Sequence, residues 1–143
     1  MVSLRAYSWS NVRQWKKEDL HSWQSPQGYA FLDMQVIDNN LLFVAKKWGN
    51  FKQFTENEHC TVKLLEIKKG ESISYQYHNY RSEQWYVISG RIVVTKGIET
   101  SIMIPNMFTT IQVKEKHKME ALDDSLVLEI SRGHFDESDI VRL

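Results

Sequence analysis

The sequence predicts an all-β protein, because its second half alternates short apolar runs with turn residues at close intervals. Glycines at positions 70, 90 and 97 stand in the turns, next to Lys69, Ser89 and Lys96. Many short strands at this spacing are typical of a sandwich or a barrel. The predicted strands are Thr61–Ile67, Ser72–His78, Glu83–Ile88, Arg91–Thr95, Ser101–Ile104, Phe108–Val113, Lys118–Leu122 and Leu126–Ser131.

The N-terminal third has a different character, and we expect it to be an extension. Ser10 is a suitable N-cap for a short amphipathic helix that reaches Trp23. Tyr29–Val36 and Leu41–Ala45 follow as strand-like runs. We therefore predict a helix-and-strand extension over residues 1–45, packed on a barrel over residues 46–143. The tail from Asp136 fits either a last helical turn or an edge segment.

Composition excludes several classes of function. The 143 residues suit one domain, and 18 basic against 18 acidic side chains give a formal net charge of +0. A neutral chain has no general attraction to nucleic acids or to acidic membranes. The single cysteine, Cys60, forms no internal disulfide, and no apolar stretch has the length of a signal peptide or a membrane span. We expect a cytoplasmic protein without nucleic-acid or membrane partners.

Side chains that can bind metal gather in the middle of the chain. On a strand, residues two apart share a face, so Gln76 and His78 point the same way. The loop 79–82 reverses the chain, and Glu83 then opens the next strand towards the same space. His117 comes from a later strand and is the only histidine between this segment and the tail. We predict these four side chains as the ligands of one metal ion.

The donor types restrict the identity of that ion. Imidazole nitrogen with carboxylate and amide oxygen is a borderline-to-hard ligand set. It suits one divalent ion, Zn²⁺ first, with Mn²⁺, Fe²⁺, Co²⁺ and Ni²⁺ as alternatives. Cys60 is not needed for this site. His21, His59 and His134 are expected to be ordinary surface residues.

The spacing of this segment resembles the first motif of the cupin superfamily. Gly70, Gln76, His78, Glu83 and Gly90 match the pattern Gly-x5-His-x-His-x4-Glu-x6-Gly, with Gln76 in the first histidine position. The run SYQYHNYRSEQWYVISG from Ser74 is similar to the C-terminal cupin domain of type II mannose-6-phosphate isomerases, the phosphomannose isomerases. The resemblance implies a single jelly-roll β-barrel, and it covers roughly the last two-thirds of the chain.

The second cupin motif is altered. The family pattern is Pro-x-Gly-x-x-His, whereas this chain has QVKEKH over residues 112–117. Only the histidine is kept, so we expect the loop before His117 to differ in shape. Lys118 follows it, where the family usually has arginine.

The resemblance implies a metal-dependent isomerase that interconverts mannose 6-phosphate and fructose 6-phosphate. Arg81 matches an arginine of the family and is expected to clamp the phosphate, unless it is a solvated loop residue. Lys63 is expected to assist if its strand face looks inward, and to be a solvated lysine if it does not. The base that moves the proton stays open among Lys63, Lys118 and the tyrosines at 75, 77 and 80.

Two other functions are compatible with the sequence. The altered second motif favours a non-catalytic cupin that binds a sugar or another small anion. A metal-dependent oxygenase uses the same barrel, but such iron sites usually contain more imidazole than a set with Gln76 provides.

The aromatic residues of the N-terminal third suggest assembly. Five of them fall within residues 9–31: Trp9, Trp15, Trp23, Tyr29 and Phe31. They can pack on the barrel of their own chain or form an interface, where such residues are enriched. Since a small barrel leaves sheet edges to be covered, we expect a homodimer.

Overall fold

The computed structural model describes residues 35–38 and 41–143. They form two compact units, which divide between Glu58 and His59. The predicted boundary, between residues 45 and 46, falls near the end of a strand of the first unit. The predicted helix from Ser10 and most of Tyr29–Val36 lie outside the described residues. The packing of the extension on the barrel therefore stays a prediction.

The first unit contains an antiparallel three-stranded sheet in the order β1-β2-β3. Its strands are β1 (Gln35–Asp38), β2 (Leu41–Lys46) and β3 (Gly49–Gln53). The predicted strand Leu41–Ala45 is confirmed as β2. Strand β3 has no apolar alternation, and its pairing with β2 forms it instead.

The second unit contains nine strands in two antiparallel sheets, and the prediction of an all-β fold is confirmed. One sheet has the order β12-β5-β10-β7-β8 and the other the order β4-β11-β6-β9. Their bounds are β4 Cys60–Ile67, β5 Gln76–Tyr77, β6 Arg81–Ser89, β7 Ile92–Lys96, β8 Glu99–Met103, β9 Phe108–Ile111, β10 His117–Ala121, β11 Ser125–Gly133 and β12 Val141–Arg142. The described residues contain no helix, and thus none long and apolar enough to cross a membrane.

The core of this unit is built from both sheets. Its buried members are Trp85, Val87, Ile92, Val94, Met103, Ile111, Met119 and Val127. These side chains come from strands β6 to β11 and alternate with more exposed positions on several of them. Burial of such side chains is the main favourable term in folding. The core fixes which face of each strand looks inward, and so sets the direction of the predicted ligands.

One predicted strand is shorter in the structure, and the tail adopts one of its two predicted alternatives. The strand Ser72–His78 is reduced to β5, and the residues before it bond to β10 at separate points, such as Ile73 N to Met119 O. The tail forms the short edge strand β12, which pairs with β5. The edge-segment alternative for the tail is therefore correct, and the helical turn is wrong.

Candidate metal centre

Three of the predicted ligands meet in the interior of the second unit. His78 directly follows β5, Glu83 lies on β6, and His117 begins β10. All three side chains are buried, and one ligand atom from each lies within 4.8 Å of the others. The triad joins the two sheets, because β6 belongs to one and β5 and β10 to the other.

Glu83 lies between the two histidines. Its Oε1 is 3.1 Å from Nε2 of His78, and its Oε2 is 3.8 Å from Nε2 of His117. The two imidazole rings are tilted, with centroids 5.0 Å apart. Both Nε2 atoms therefore face the same carboxylate, as expected when three side chains surround one ion.

Backbone carbonyls fix both imidazoles. Nδ1 of His78 lies 2.6 Å from the carbonyl oxygen of Asp139, and Nδ1 of His117 lies 2.7 Å from that of Glu115. A carbonyl oxygen only accepts, so each Nδ1 must carry the hydrogen. In the neutral ring this leaves the lone pair on Nε2, which is the tautomer that a metal ligand needs.

Asp139 also organises the loop between His78 and β6. Its carboxylate accepts hydrogen bonds from the backbone N–H groups of Asn79 and Tyr80 and from the Asn79 side chain. Burial would raise the pKa of Asp139, but these bonds outweigh it and lower the pKa. One residue of the tail thus holds both the loop and the His78 ring.

Arg81 is buried beside the triad. Its Nε donates to Glu83 Oε1 at 3.0 Å, and its Nη1 donates to the carbonyl oxygen of Asp136 at 2.9 Å. Nη2 lies 3.4 Å from Nε2 of His78. The guanidinium is only 3% exposed, so the alternative of a solvated loop arginine is wrong. Its role as a phosphate clamp stays a prediction.

The pKa values of the triad follow from burial and mutual contact. Burial raises the pKa of Glu83, but His78 and Arg81 outweigh it and the pKa falls. Burial lowers the pKa of His78, but the bonds to Glu83 and to the Asp139 carbonyl leave it raised overall. For His117 burial dominates and the pKa is lowered. A neutral His117 and an ionised Glu83 are the protonation states that bind metal.

Gln76 lies on β5, directly opposite His117 in the strand register, and it is buried. Its Oε1 accepts a hydrogen bond of 2.8 Å from Ser74 Oγ. The amide is thus placed on the strand next to the triad, and its function as the fourth ligand stays a prediction.

His59 and His134 are exposed, as predicted, and His21 lies outside the described residues.

The arrangement fits a divalent metal ion. Nε2 of His117 is buried and has no hydrogen-bond partner within the described part of the chain. A buried polar atom without a partner is costly, and a metal ion would satisfy it. Two imidazoles and a carboxylate are ligands that Zn²⁺ and similar ions prefer.

Lys63 lies on an inward-facing row of the four-stranded sheet. The register places Lys63 of β4 opposite Glu129 of β11, which lies opposite the core residue Trp85 of β6. The strand face of Lys63 therefore looks inward, but the side chain is one-third exposed and is not a buried charge. Its ammonium group pairs with Glu137 at 2.9 Å and lies 4.5 Å from the centre of the Phe135 ring.

The altered second motif keeps a turn. Lys114 occupies the glycine position of the family pattern and has a φ of 64°, in the left-handed region that glycine favours. Its N–H donates to the carbonyl oxygen of His78 at 2.8 Å. The loop before His117 thus has a left-handed residue at the position where the family pattern has glycine.

Glu129 is a buried carboxyl group that the sequence did not reveal. The alternation on β11 is ambiguous, because Leu126, Leu128 and Ile130 suggest that the opposite face is the inward one. In the structure Glu129 shares the inward face with Val127 and Ser131. The only signal in the sequence was an acidic residue inside an apolar strand.

Comparison with known proteins decides the family. The family described as "Mannose-6-phosphate isomerase C-terminal" matches residues 36–143. The chain belongs to this mannose-6-phosphate isomerase C-terminal family. The resemblance predicted from the motif is confirmed.

Curated relatives of this family member come from bacteria. "Mannose-1-phosphate guanylyltransferase 2" of Escherichia coli O157:H7 is 32% identical over 102 residues, which cover 69% of this chain and 21% of the relative. "Alginate biosynthesis protein AlgA" of Pseudomonas aeruginosa is 32% identical over 104 residues, with 70% and 21% covered. The chain thus spans about a fifth of the length of these relatives.

Among solved structures, the fold of this chain resembles that of the "capsular polysaccharide assembling protein CapF" from Staphylococcus aureus. The two share 17% identity with a TM-score of 0.54, covering 80% of this chain and 35% of the other. At this identity the likeness concerns the fold alone, which is the cupin barrel.

Proposed function

We propose that the chain is a metal-dependent isomerase that interconverts mannose 6-phosphate and fructose 6-phosphate. The observation that carries the proposal is the buried triad of His78, Glu83 and His117 in a member of this isomerase family. The guanylyltransferase activity named for the relatives belongs to proteins of which this chain spans a fifth.

The metal would be held by the triad, with Gln76 as the candidate fourth ligand. A divalent ion there, Zn²⁺ first, would polarise the substrate carbonyl and stabilise negative charge on its oxygen. The protein's own residues prepare this site: the carbonyls of Asp139 and Glu115 orient the imidazoles, and Arg81 holds Glu83. Such supporting contacts are important for metal affinity.

Lys63 is well placed to bind the phosphate. Its side chain is one-third exposed, whereas Arg81 is engaged with Glu83 and two backbone carbonyls. The carboxylate that pairs with Lys63, Glu137, is 70% exposed, and a phosphate can replace it. A bound phosphate fixes the pose of the sugar relative to the metal.

The proposed location of the protein is the cytoplasm, because sugar phosphates are metabolites of the cytoplasm.

A non-catalytic cupin that binds a sugar or small anion is the second candidate. The internal partners of Arg81 favour it, because a guanidinium that is already satisfied contributes less to holding a reacting substrate. A coupled assay with mannose 6-phosphate, with and without added Zn²⁺ or Mn²⁺, separates the two functions. Metal-dependent formation of fructose 6-phosphate supports the isomerase, and binding without turnover supports the second candidate.

A further inference from the structure

An isomerase of this kind needs a group that removes a proton from one carbon and returns it to the neighbouring one. None of the metal ligands is suitable, because their lone pairs would be directed to the ion. Arg81 is also unsuitable, since a guanidinium stays protonated. The inference below rests on the proposed isomerase function.

The structure removes several candidates that the sequence left open. Lys118 alternates with the buried His117 and Met119, so it faces away from the interior, and it bonds to Glu120.

The three tyrosines are also unsuitable. Tyr75 donates its hydroxyl hydrogen to the carbonyl oxygen of Gly97, and Tyr80 is 66% exposed. Tyr77 alternates with Gln76 and His78 and so points to the opposite face of β5.

Glu129 has the position that these residues lack. It lies on the inward row with Lys63 and Trp85, and its side chain is 7% exposed. The Trp85 ring contacts the ring of the triad residue His117 edge-on, with centroids 5.3 Å apart. Glu129 therefore lies one side chain away from the metal triad, without being one of its ligands.

We infer that Glu129 is the carboxyl group that carries the proton between C1 and C2 of the sugar phosphate. Lys63, on the same row, would hold the phosphate end of the substrate, and the triad would face its carbonyl end. The three elements of the reaction then lie on one inward surface, contributed by β4, β11 and β6 together with the ends of β5 and β10.

The charges around Glu129 suit this role. Burial, reinforced by the negative charge of Glu83, raises its pKa to about 7, although Lys63, the Trp85 indole N–H and Arg81 oppose the rise. A carboxyl group with a pKa near neutrality accepts a proton as readily as it donates one.

The proton shift balances without an added reactant. Glu129 takes the hydrogen from C2 of the aldose, the C–H electron pair forms the C1–C2 double bond, and the C1 carbonyl pair moves to O1. The hydroxyl proton of O2 passes to O1, and the O2 electron pair forms the new C2 carbonyl. The double-bond pair then takes the proton back from Glu129 at C1, which regenerates the carboxylate.

The test compares the Zn²⁺-loaded full chain with Glu129→Gln and with Glu120→Gln as the matched control. Glu120 lies on the outward face of β10. For Glu129→Gln we expect kcat to fall by about 10²- to 10⁴-fold. Zinc content by elemental analysis and binding of mannose 6-phosphate by calorimetry should be unchanged. NMR with mannose 6-phosphate deuterated at C2 should show that the variant neither moves nor releases the label.

The outcomes are distinct. An active native chain with a fully active Glu129→Gln variant overturns the inference and leaves the isomerase function intact. Loss of zinc together with activity in Glu129→Gln also overturns it, because the carboxyl group is then structural. A native chain that binds zinc but does not isomerise removes the proposed function and this inference with it. Partial recovery in Glu129→Asp supports the proton role.

Discussion

Each imidazole of the triad is oriented by a backbone carbonyl, and each turns Nε2 towards Glu83. This orientation has a cost without metal, because Nε2 of His117 has no hydrogen-bond partner within the described part of the chain. A site prepared in this way should bind metal strongly and should depend on every ligand.

Replacement of His78 by alanine should abolish stoichiometric metal binding. The native chain should contain about one divalent ion per chain, because the triad forms a single site. His134→Ala is the matched control, because His134 is exposed and lies outside the triad. Elemental analysis of both variants, made with ample Zn²⁺, measures the difference. Equal metal content in the two would exclude the triad.

Metal affinity should fall with falling pH, and His78 sets the range. Protonated His78 competes with the ion, and its pKa is raised above the ordinary value of 6.5 by Glu83 and the Asp139 carbonyl, in spite of burial. The proton is therefore bound at a higher pH than usual, and the loss of affinity should begin above pH 6.5. Competition with a chelator at pH 8 and pH 6 measures this shift, and equal affinity at the two values would contradict it.

The loop before His117 has a left-handed lysine where the family motif has glycine. The N–H of this Lys114 donates to the carbonyl oxygen of His78. A lysine in this region is strained by its Cβ, by about 1 kcal/mol.

Lys114→Gly should therefore stabilise the chain by up to about 1 kcal/mol, since relief of strain exceeds the entropy gained by the unfolded chain. Lys116→Gly is the control, because Lys116 is also exposed and has no positive φ. It should destabilise the chain. Urea unfolding of the native chain and both variants gives the comparison. A loss of stability in Lys114→Gly would show that the turn does not strain the lysine.

Much of the fold followed from the sequence, and the exceptions have physical causes. The strands β6 and β11 were predicted because each carries a short apolar run that turn residues bound. Strand β3 was missed because Gly49-Asn-Phe-Lys-Gln53 carries no alternation, and its pairing with β2 is not visible in the sequence. The triad was predicted from spacing and a two-residue period, whereas Glu129 was missed because both faces of β11 are apolar enough to be buried.

At the scale of the whole molecule, the sheet edges of the second unit bear on assembly. Among the described residues, strand β4 is an edge of the four-stranded sheet, and its outward residues Val62 and Leu64 are 55% and 61% exposed. Apolar side chains on an open edge favour coverage by another segment or another copy.

We propose that the chain is a homodimer, and light-scattering mass measures it directly. The full chain should give twice its mass of 16.9 kDa. A version that starts at His59, where the second unit begins, tests whether this unit carries the interface. A monomeric full chain excludes the dimer. Val62→Lys together with Leu64→Lys should weaken a dimer formed through β4, and an unchanged mass would place the contact elsewhere.

The triad takes its ligands from both sheets of the second unit, so a bound ion acts as a cross-link between them. Ligand binding to the folded state alone stabilises it by about 2.7 kcal/mol when the free ion is at one hundred times its Kd. The melting temperature should then report the occupancy of the site directly. A melting series across Zn²⁺, Mn²⁺, Fe²⁺, Co²⁺ and Ni²⁺ would rank the ions by affinity before any substrate is known. Addition of a chelator would loosen the two sheets from each other.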